Sequence, residues 1–320
     1  MKAITLQAAG GVEQLAITDL PVPSIKDDEV LVQVRAISIN PVDTKVRRRQ
    51  ALIQLVLQLE DHDSPKILGW DIAGIVVATG AAVTAFKKGD AVFGMVNFPG
   101  HGKAYTEYVA APANHLAPKP TNISYEEAAA ATLAALTAWQ ALVSYGGTKA
   151  GDKVLIHAAA GGVGHYAVQI ARQLGAHVIG TSSAKHKDLV LQLGAHEHID
   201  YQQTRFESLV ADADLVVDSI ETTGHLERSL QAVKPGGALI SLNLLFDKNL
   251  DIAMKARTKG VFTHRMEVRS DGSAMQQIAA WLEQGKLRSH IAYRFPFEEM
   301  AAAHLQLESG RTAGKIVLTL

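Results

Sequence analysis

Val154-Leu155-Ile156-His157-Ala158-Ala159-Ala160-Gly161-Gly162-Val163-Gly164 is the stretch that decides the fold. Val154 to His157 reads as a short buried strand, and a turn of small residues follows. Val163, Ala167, Ile170, Ala171 and Leu174 then recur at helical spacing until Gly175 stops the run. Strand, small-residue turn and helix form the setting in which a dinucleotide pyrophosphate rests on the free N–H groups of a helix N-terminus. Small side chains there let the backbone approach the phosphates. The spacing is Ala158-x-x-Gly161-x-x-Gly164, with alanine at the first position, and the same letters also fit a plain tight turn between strand and helix. The strand-like run His177 to Thr181 directly after the helix favours the nucleotide reading.

Downstream, strands and helices go on alternating. His196 to Asp200, Leu215 to Asp218 and Ala238 to Leu242 read as strands, the last after a Pro235-Gly236-Gly237 turn, and Val261 to Thr263 adds a sixth. That alternation predicts a doubly wound parallel sheet. Upstream, Ser124 and Glu127 form a capping box that opens one long alanine-rich helix to Leu142, ended by Gly146-Gly147. Before it come short strands punctuated by turn residues: Ala3 to Gln7, Glu13 to Asp19, Glu29 to Ile37, Gly74 to Ala78, Asp90 to Gly94 and Ala104 to Val109. They predict a partly open antiparallel barrel, interrupted by a helix over Arg47 to Leu59 whose inner face is Leu52, Leu55, Val56 and Leu59. After the parallel sheet, a helix (Ser273 to Glu283), a strand (His290 to Phe295), a helix (Phe297 to Leu307) and a final strand (Lys315 to Leu320) are expected to return to the first domain. The fold class is therefore α/β in two domains, 1–122 with 267–320, and 123–266.

The composition narrows the chemistry. The chain has 320 residues, 48% hydrophobic and 20% charged, with a formal charge of −1 and no cysteine. Disulfides, thiolate metal sites and a cysteine nucleophile are excluded. A near-neutral chain has no electrostatic reason to bind nucleic acid or an anionic membrane. No apolar run reaches spanning length, and Met1 to Leu6 reads as a strand, not a signal peptide, so a cytoplasmic protein is expected.

Asn40-Pro41-Val42-Asp43, Gly69-Trp70-Asp71-Ile72-Ala73-Gly74, Gly89-Asp90 with Val92, Tyr105 with Glu107-Tyr108, and Thr137-Ala138 precede the glycine turn. Leu193-Gly194-Ala195, Lys234-Pro235-Gly236-Gly237 and Gly314-Lys315-Ile316-Val317-Leu318 follow it. In this order and spacing the chain resembles the medium-chain dehydrogenase/reductase superfamily, and within it the zinc-independent quinone oxidoreductases, over essentially its whole length. The resemblance implies a GroES-like catalytic domain beside a Rossmann domain that holds NADP(H). Zinc alcohol dehydrogenases share this fold, but their metal needs thiolate ligands that this chain lacks. The one dense alternative, Glu60-Asp61-His62-Asp63, reads as a solvated loop. Without a Lewis acid, hydride transfer to an electrophilic substrate is favoured. The expected activity is NADPH-dependent reduction of a quinone, with reduction of an activated alkene (an alkenal or enone) as the alternative and cofactor binding without turnover as a third reading.

The resemblance also assigns roles. It places Asn40 at the nicotinamide end, with Asp43 supporting that loop. It places Thr137, Ser219, Ile220, Leu242, Asn243 and Phe262 along the same half of the cofactor, and Ala160, Gly161, Gly162, Val163 and Gly164 at the pyrophosphate. Lys45 stands where the family often carries tyrosine, and it either donates to a developing oxyanion or points to solvent. The second strand ends Thr181-Ser182-Ser183 without the acid of an NAD-selective site, and Lys187, with Lys185 and Tyr201 nearby, can meet a 2′-phosphate; NADPH is therefore expected over NADH. Tyr145 and Lys149, spaced like a short-chain dehydrogenase pair, precede the glycine turn and read as chance. His196-Glu197-His198 reads as solvent-facing, and His157 as structural. An exposed apolar edge strand at Gly260 to His264, together with the resemblance, predicts a homodimer.

Overall fold

The computed structural model describes residues 1–59, 65–242 and 250–320. The chain forms two compact units, residues 1–136 with 268–320, and residues 137–267. In the first unit, β1 (Lys2–Leu6) pairs antiparallel with β2 (Leu15–Asp19), and β3 (Glu29–Ile39) sends Val30, Val32 and Val34 into the core. Next come α1 (Pro41–Arg48) and α2 (Gln50–Leu57). The extended backbone of Arg49 separates them and restarts the helical phase. The inner face of α2 is therefore Ile53, Val56 and Leu57, while Leu55, expected inside, is 70% exposed. The Glu60-to-Asp63 cluster lies outside the described residues.

The short β4 (Lys66–Ile67) joins β1, and β5 (Asp71–Thr79), β6 (Ala91–Met95), β7 (Tyr108–Pro112) and β8 (Leu116–Pro118) extend the β3 sheet. β7 starts later than the expected Ala104, because the Ala104 and Tyr105 N–H groups donate to the Gly69 and Leu68 carbonyls before the ladder with β3 begins. The Ser124–Glu127 capping box is formed, with bonds of 2.8 and 3.1 Å. The helix it opens is not continuous. It stops as α3 (Tyr125–Ala130), and α4 (Leu133–Trp139) starts afresh, followed by a π-helical turn over Gln140–Tyr145. At the break the Thr132 hydroxyl donates to the Ala129 carbonyl, and the Asp71 carboxylate accepts the Leu133 N–H at 3.0 Å. A side chain from β5 therefore caps the second segment.

The second unit alternates as expected: β9 (Lys153–Ile156), α5 (Gly164–Gln173), β10 (His177–Ser182), α6 (Lys187–Gln192), β11 (Glu197–Asp200), β12 (Ala213–Asp218), α7 (His225–Ala232), β13 (Val233–Ser241), α8 (Leu250–Lys259) and β14 (Phe262–Arg265). The six strands are all parallel, in the order β11-β10-β9-β12-β13-β14. Leu155, Ile179, Val216 and Leu239 are fully buried, as strands covered by helices on both faces require. The order reverses between β9 and β12, and the crevice at the carboxyl ends of such strands is where this architecture binds ligands.

The chain then returns to the first unit through α9 (Gly272–Glu283), β15 (Ile291–Pro296), α10 (Met300–Glu308) and β16 (Lys315–Thr319). β16 lies between β15 and β3, giving the order β15-β16-β3-β5-β6-β8 with β7 also on β3. The outer strands β15 and β8 do not pair, so the barrel stays partly open. No described helix is long and apolar enough to cross a membrane.

Candidate cofactor site

Backbone geometry shapes the glycine turn. Ala158 sits in the left-handed region at φ 50°, and its carbonyl accepts the Gly161 N–H at 2.8 Å. Gly164 opens α5 so close to this turn that a Cβ there would lie 2.1 Å from the Ala158 oxygen, against backbone that cannot yield. Gly161 has no such crowding, since its nearest neighbour to a Cβ is at 3.1 Å. The Gly162, Val163 and Gly164 N–H groups stand at the start of a ten-residue helix, ahead of its hydrogen-bond ladder. Small residues and open N–H groups at a helix start fit a pyrophosphate.

The end of β10 carries two hydroxyls that are already engaged by neighbouring side chains. Thr181 and Ser182 are both buried. Thr181 Oγ1 meets His157 Nδ1 at 3.1 Å, and Ser182 Oγ meets His198 Nε2 at 2.8 Å and donates to the Ser183 carbonyl. Neither hydroxyl is turned outward as a phosphate donor. Ser183 is half-buried, Lys185 and Lys187 are exposed, and Tyr201 is 59% exposed while its N–H holds the Ser182 carbonyl. His198, expected at the surface, is half-buried, whereas His196 and Glu197 are exposed. Burial holds the His198 ring below its usual range, and Lys187 adds to this.

At the end of β12 a buried cluster holds the next loop. Asp218 Oδ1 accepts the Ile220 N–H at 2.8 Å, and Oδ2 accepts His225 Nδ1 at 2.9 Å and the Ser229 hydroxyl at 2.7 Å. Ser229 Oγ also meets His157 Nε2 at 3.1 Å. Burial alone would raise Asp218, but the His225 hydrogen bond and the neighbouring imidazoles keep it below the usual carboxylate range. Ser219 and Ile220 are half-buried, and the Leu242 N–H donates to the Asp218 carbonyl at 2.7 Å. Asn243 lies outside the described residues. Thr137 is buried on α4, and Phe262 is 54% exposed on the edge strand β14. Tyr145 stacks on His264 with ring centroids 4.3 Å apart, and the Lys149 N–H bonds Asp152.

The first unit carries its own buried polar cluster. Asn40 caps α1 through its N–H to Asp43 Oδ2 (2.7 Å). Its carboxamide donates to Asp71 Oδ2 at 2.7 Å and accepts from Lys315 Nζ at 2.5 Å. Lys315 also donates to the Ile39 carbonyl and lies 3.9 Å from Asp71. Burial, with the Asp71 charge, pushes Asp43 up to about 7, and Asp43 Oδ1 has no hydrogen bond of good geometry among the described residues. Arg47 is fully buried and donates to the Gly10 carbonyl, His304 Nδ1 (3.1 Å) and Glu308 (2.5 Å), while His304 Nε2 meets the Tyr105 hydroxyl at 3.0 Å. Gly69, at φ 88°, gives the Tyr105 ring its place, since a Cβ there would lie 2.3 Å from it. Lys45 is half-buried on α1. Asp71, Tyr105 and Lys315 stand in motifs visible in the sequence; Arg47, His304, Asp218, His225 and Ser229 carried no signal of a site.

Among the described residues, one group could surround a metal ion: His157, Asp218 and His225, with ligand atoms within 4.8 Å of one another. Those atoms already hydrogen-bond one another or Ser229. With no cysteine in the chain, the donor set does not fit a thiolate-rich zinc centre. Purified protein is expected to carry no stoichiometric zinc and to keep its activity in chelator. One metal per chain by elemental analysis, with activity lost to chelation, would contradict this.

Two sequence families match the chain: "Alcohol dehydrogenase GroES-like domain" over residues 26–121 and "Zinc-binding dehydrogenase" over residues 193–318. The NADPH-dependent alkenal/one oxidoreductase of Arabidopsis thaliana chloroplasts is 34% identical, over 99% of this chain and 79% of its own. The quinone oxidoreductase of Coxiella burnetii superposes with a TM-score of 0.91 at 32% identity, covering 100% of this chain and 99% of its own. The Escherichia coli quinone oxidoreductase complexed with NADPH gives a TM-score of 0.86 at 28% identity, with both chains covered completely.

Proposed function

Because the chain belongs to the zinc-independent quinone oxidoreductases of the medium-chain dehydrogenase/reductase superfamily, we propose that it is an NADPH-dependent reductase of quinones. The observation that carries this reading is the small-residue turn into α5 at the switch point of the parallel sheet, beside a β10 end without an acid. NADPH, when bound, supplies the hydride. The chain holds the pyrophosphate on the N–H groups of residues 162–164, shapes the nicotinamide-side loop through Asp218, and excludes water around the reacting carbons. The proposal includes Asn40, Thr137, Ser219, Ile220, Leu242, Asn243 and Phe262 along the cofactor, a substrate pocket near Asn40, Asp43 and Lys45, and a cytoplasmic location. NADPH consumption followed against quinones, enals and enones tests it, and turnover of a quinone is expected. Preferential turnover of enals or enones would establish the second reading, which the Arabidopsis relative supports. NADPH binding without any turnover would overturn the enzymatic reading.

The cofactor preference rests on Lys187, Ser183 and Tyr201, since the Ser182 hydroxyl is engaged by His198. A charge-assisted bond to a phosphate contributes roughly 1.5–3 kcal/mol, so one such bond gives a preference of about ten- to a hundred-fold for NADPH. Lys187→Ala should lower kcat/KM for NADPH and leave NADH unchanged; equal use of both cofactors by wild type would contradict the assignment. A homodimer joined through the β14 edge is also part of the proposal, because Phe262 is an exposed apolar residue on the edge strand of the parallel sheet. Light scattering should give twice the chain mass at micromolar concentration, and Phe262→Lys should shift the species to monomer.

A further inference from the structure

His157 directly follows β9 and is fully buried, and no role in binding or chemistry follows from its place next to the glycine turn. Its hydrogen bonds have only one consistent direction. The Asp218 carboxylate only accepts, so the Ser229 hydroxyl hydrogen is directed at Asp218 Oδ2. Ser229 Oγ must then accept from His157 Nε2–H, and the neutral ring leaves Nδ1 to accept from the Thr181 hydroxyl. Burial keeps that ring neutral by pushing it down to about 4. The result is one chain of donors, Thr181 to His157 to Ser229 to Asp218, joining the carboxyl ends of β10, β9 and β12 through α7. His225 completes the set on Asp218 Oδ2, leaving Oδ1 aimed at the Ile220 N–H.

We propose that His157 is a positioning residue that sets the nicotinamide-side loop, residues 219–220, through Ser229 and Asp218, an inference that rests on the NADP(H) reading above. An apolar residue in its place would fill the same volume against Phe206, whose ring centroid is 4.4 Å away. It would not hold the Ser229 oxygen toward Asp218, so the carboxylate could rotate and release the Ile220 N–H. The adenosine half of the cofactor does not depend on that loop.

The test compares affinities for NADPH and for 2′,5′-ADP, which lacks the nicotinamide half, by titration calorimetry on the full chain. In wild type NADPH should bind more tightly than 2′,5′-ADP. In Ser229→Ala, which keeps the His157–Thr181 contact, the Kd for NADPH should rise about five- to tenfold while that for 2′,5′-ADP changes less than twofold; His157→Phe, which also frees the Thr181 hydroxyl, should raise the NADPH Kd at least as much. His157→Gln, whose amide can both donate to Ser229 and accept from Thr181, should restore NADPH binding to within about twofold of wild type. Ser229→Ala removes a single oxygen and carries the comparison alone if His157→Phe does not fold. Equal losses for both probes, or unchanged NADPH binding in Ser229→Ala, overturn the inference. Wild type that binds neither probe overturns the cofactor reading, and the inference with it.

Discussion

Lys315→Met is expected to destabilise the chain by about 3–5 kcal/mol, with the larger loss at high pH. The ammonium is buried and is held by the Ile39 carbonyl and the Asn40 carboxamide, with the Asp71 carboxylate 3.9 Å away. Methionine matches the length of the stem, so what is lost is charge and donors. Asp71 is then a buried carboxylate without a cation, and it still has to accept Asn40 and cap α4. Burial already raises Asp71 above its usual range against the pull of Lys315, so removal of that cation drives it further toward protonation. Protonation relieves part of the cost at low pH and none of it well above the new pKa. Asp71→Asn in the Lys315→Met background removes the orphaned charge while keeping an amide oxygen, and the double variant should lose less than the sum of the singles. Urea unfolding of all three at pH 6.5 and 8.5 decides it; a single-variant loss under 1 kcal/mol would contradict the argument.

Stability should fall by about 3 kcal/mol between pH 6.5 and pH 4, and the loss should steepen in Asp43→Asn. Burial pushes His157 down to about 4, and burial with the adjacent Arg47 pushes His304 down to about 3. An unfolded chain protonates both rings below about 6.5 while the folded chain keeps them neutral, so the unfolded state binds more protons and stability drops as pH falls. Asp43 acts with the opposite sign. Its folded value is raised from 3.8 to about 7, so across that window the folded chain holds a proton that the unfolded chain has released. Counted over these three groups, two histidines against one aspartate leave about one net proton over roughly 2.5 pH units, at about 1.4 kcal/mol each, while the lowered His198 adds to the loss and the raised Asp71 opposes it. Asp43→Asn keeps an acceptor for the Asn40 N–H and removes the opposing group, which roughly doubles the acid slope. It should also be more stable than wild type above pH 7, where wild type carries an ionised Asp43. Indistinguishable pH profiles of the two proteins would contradict this.

What the sequence made legible was local. The Ser124–Glu127 box spans three residues, and the β9–turn–α5 pattern needs only the order of small and apolar side chains. The break after α3 was hidden because its cause, Asp71, is 62 residues from the Leu133 N–H that it caps. The face of α2 was misread because extended Arg49 resets the phase, and no single residue type there announces a stop. Thr181 and Ser182 were expected at the end of the second strand, with nothing in the sequence to say where their hydroxyls turn. Their orientation is decided by His157 and His198, which reach them across neighbouring strands. Lys315, Asp71 and Asn40 were each visible within motifs, but the resemblance gave only Asn40 a role, and their convergence follows from the pairing of β16 with β3 and β3 with β5.

That pairing also orders the events of synthesis. The second unit is one continuous segment, residues 137–267, and all six of its strands are synthesised before α9. The first unit has no such independence. β16 fills an interior position in its sheet, between β15 and β3, and carries the buried ammonium that balances Asp71. Until residues 315–319 emerge, the nascent first unit exposes the 36–39 end of β3 as an unpaired edge beside an uncompensated carboxylate. The later half of the message must therefore be translated while the half made first waits unfinished, and a chaperone has most to protect in the N-terminal strands.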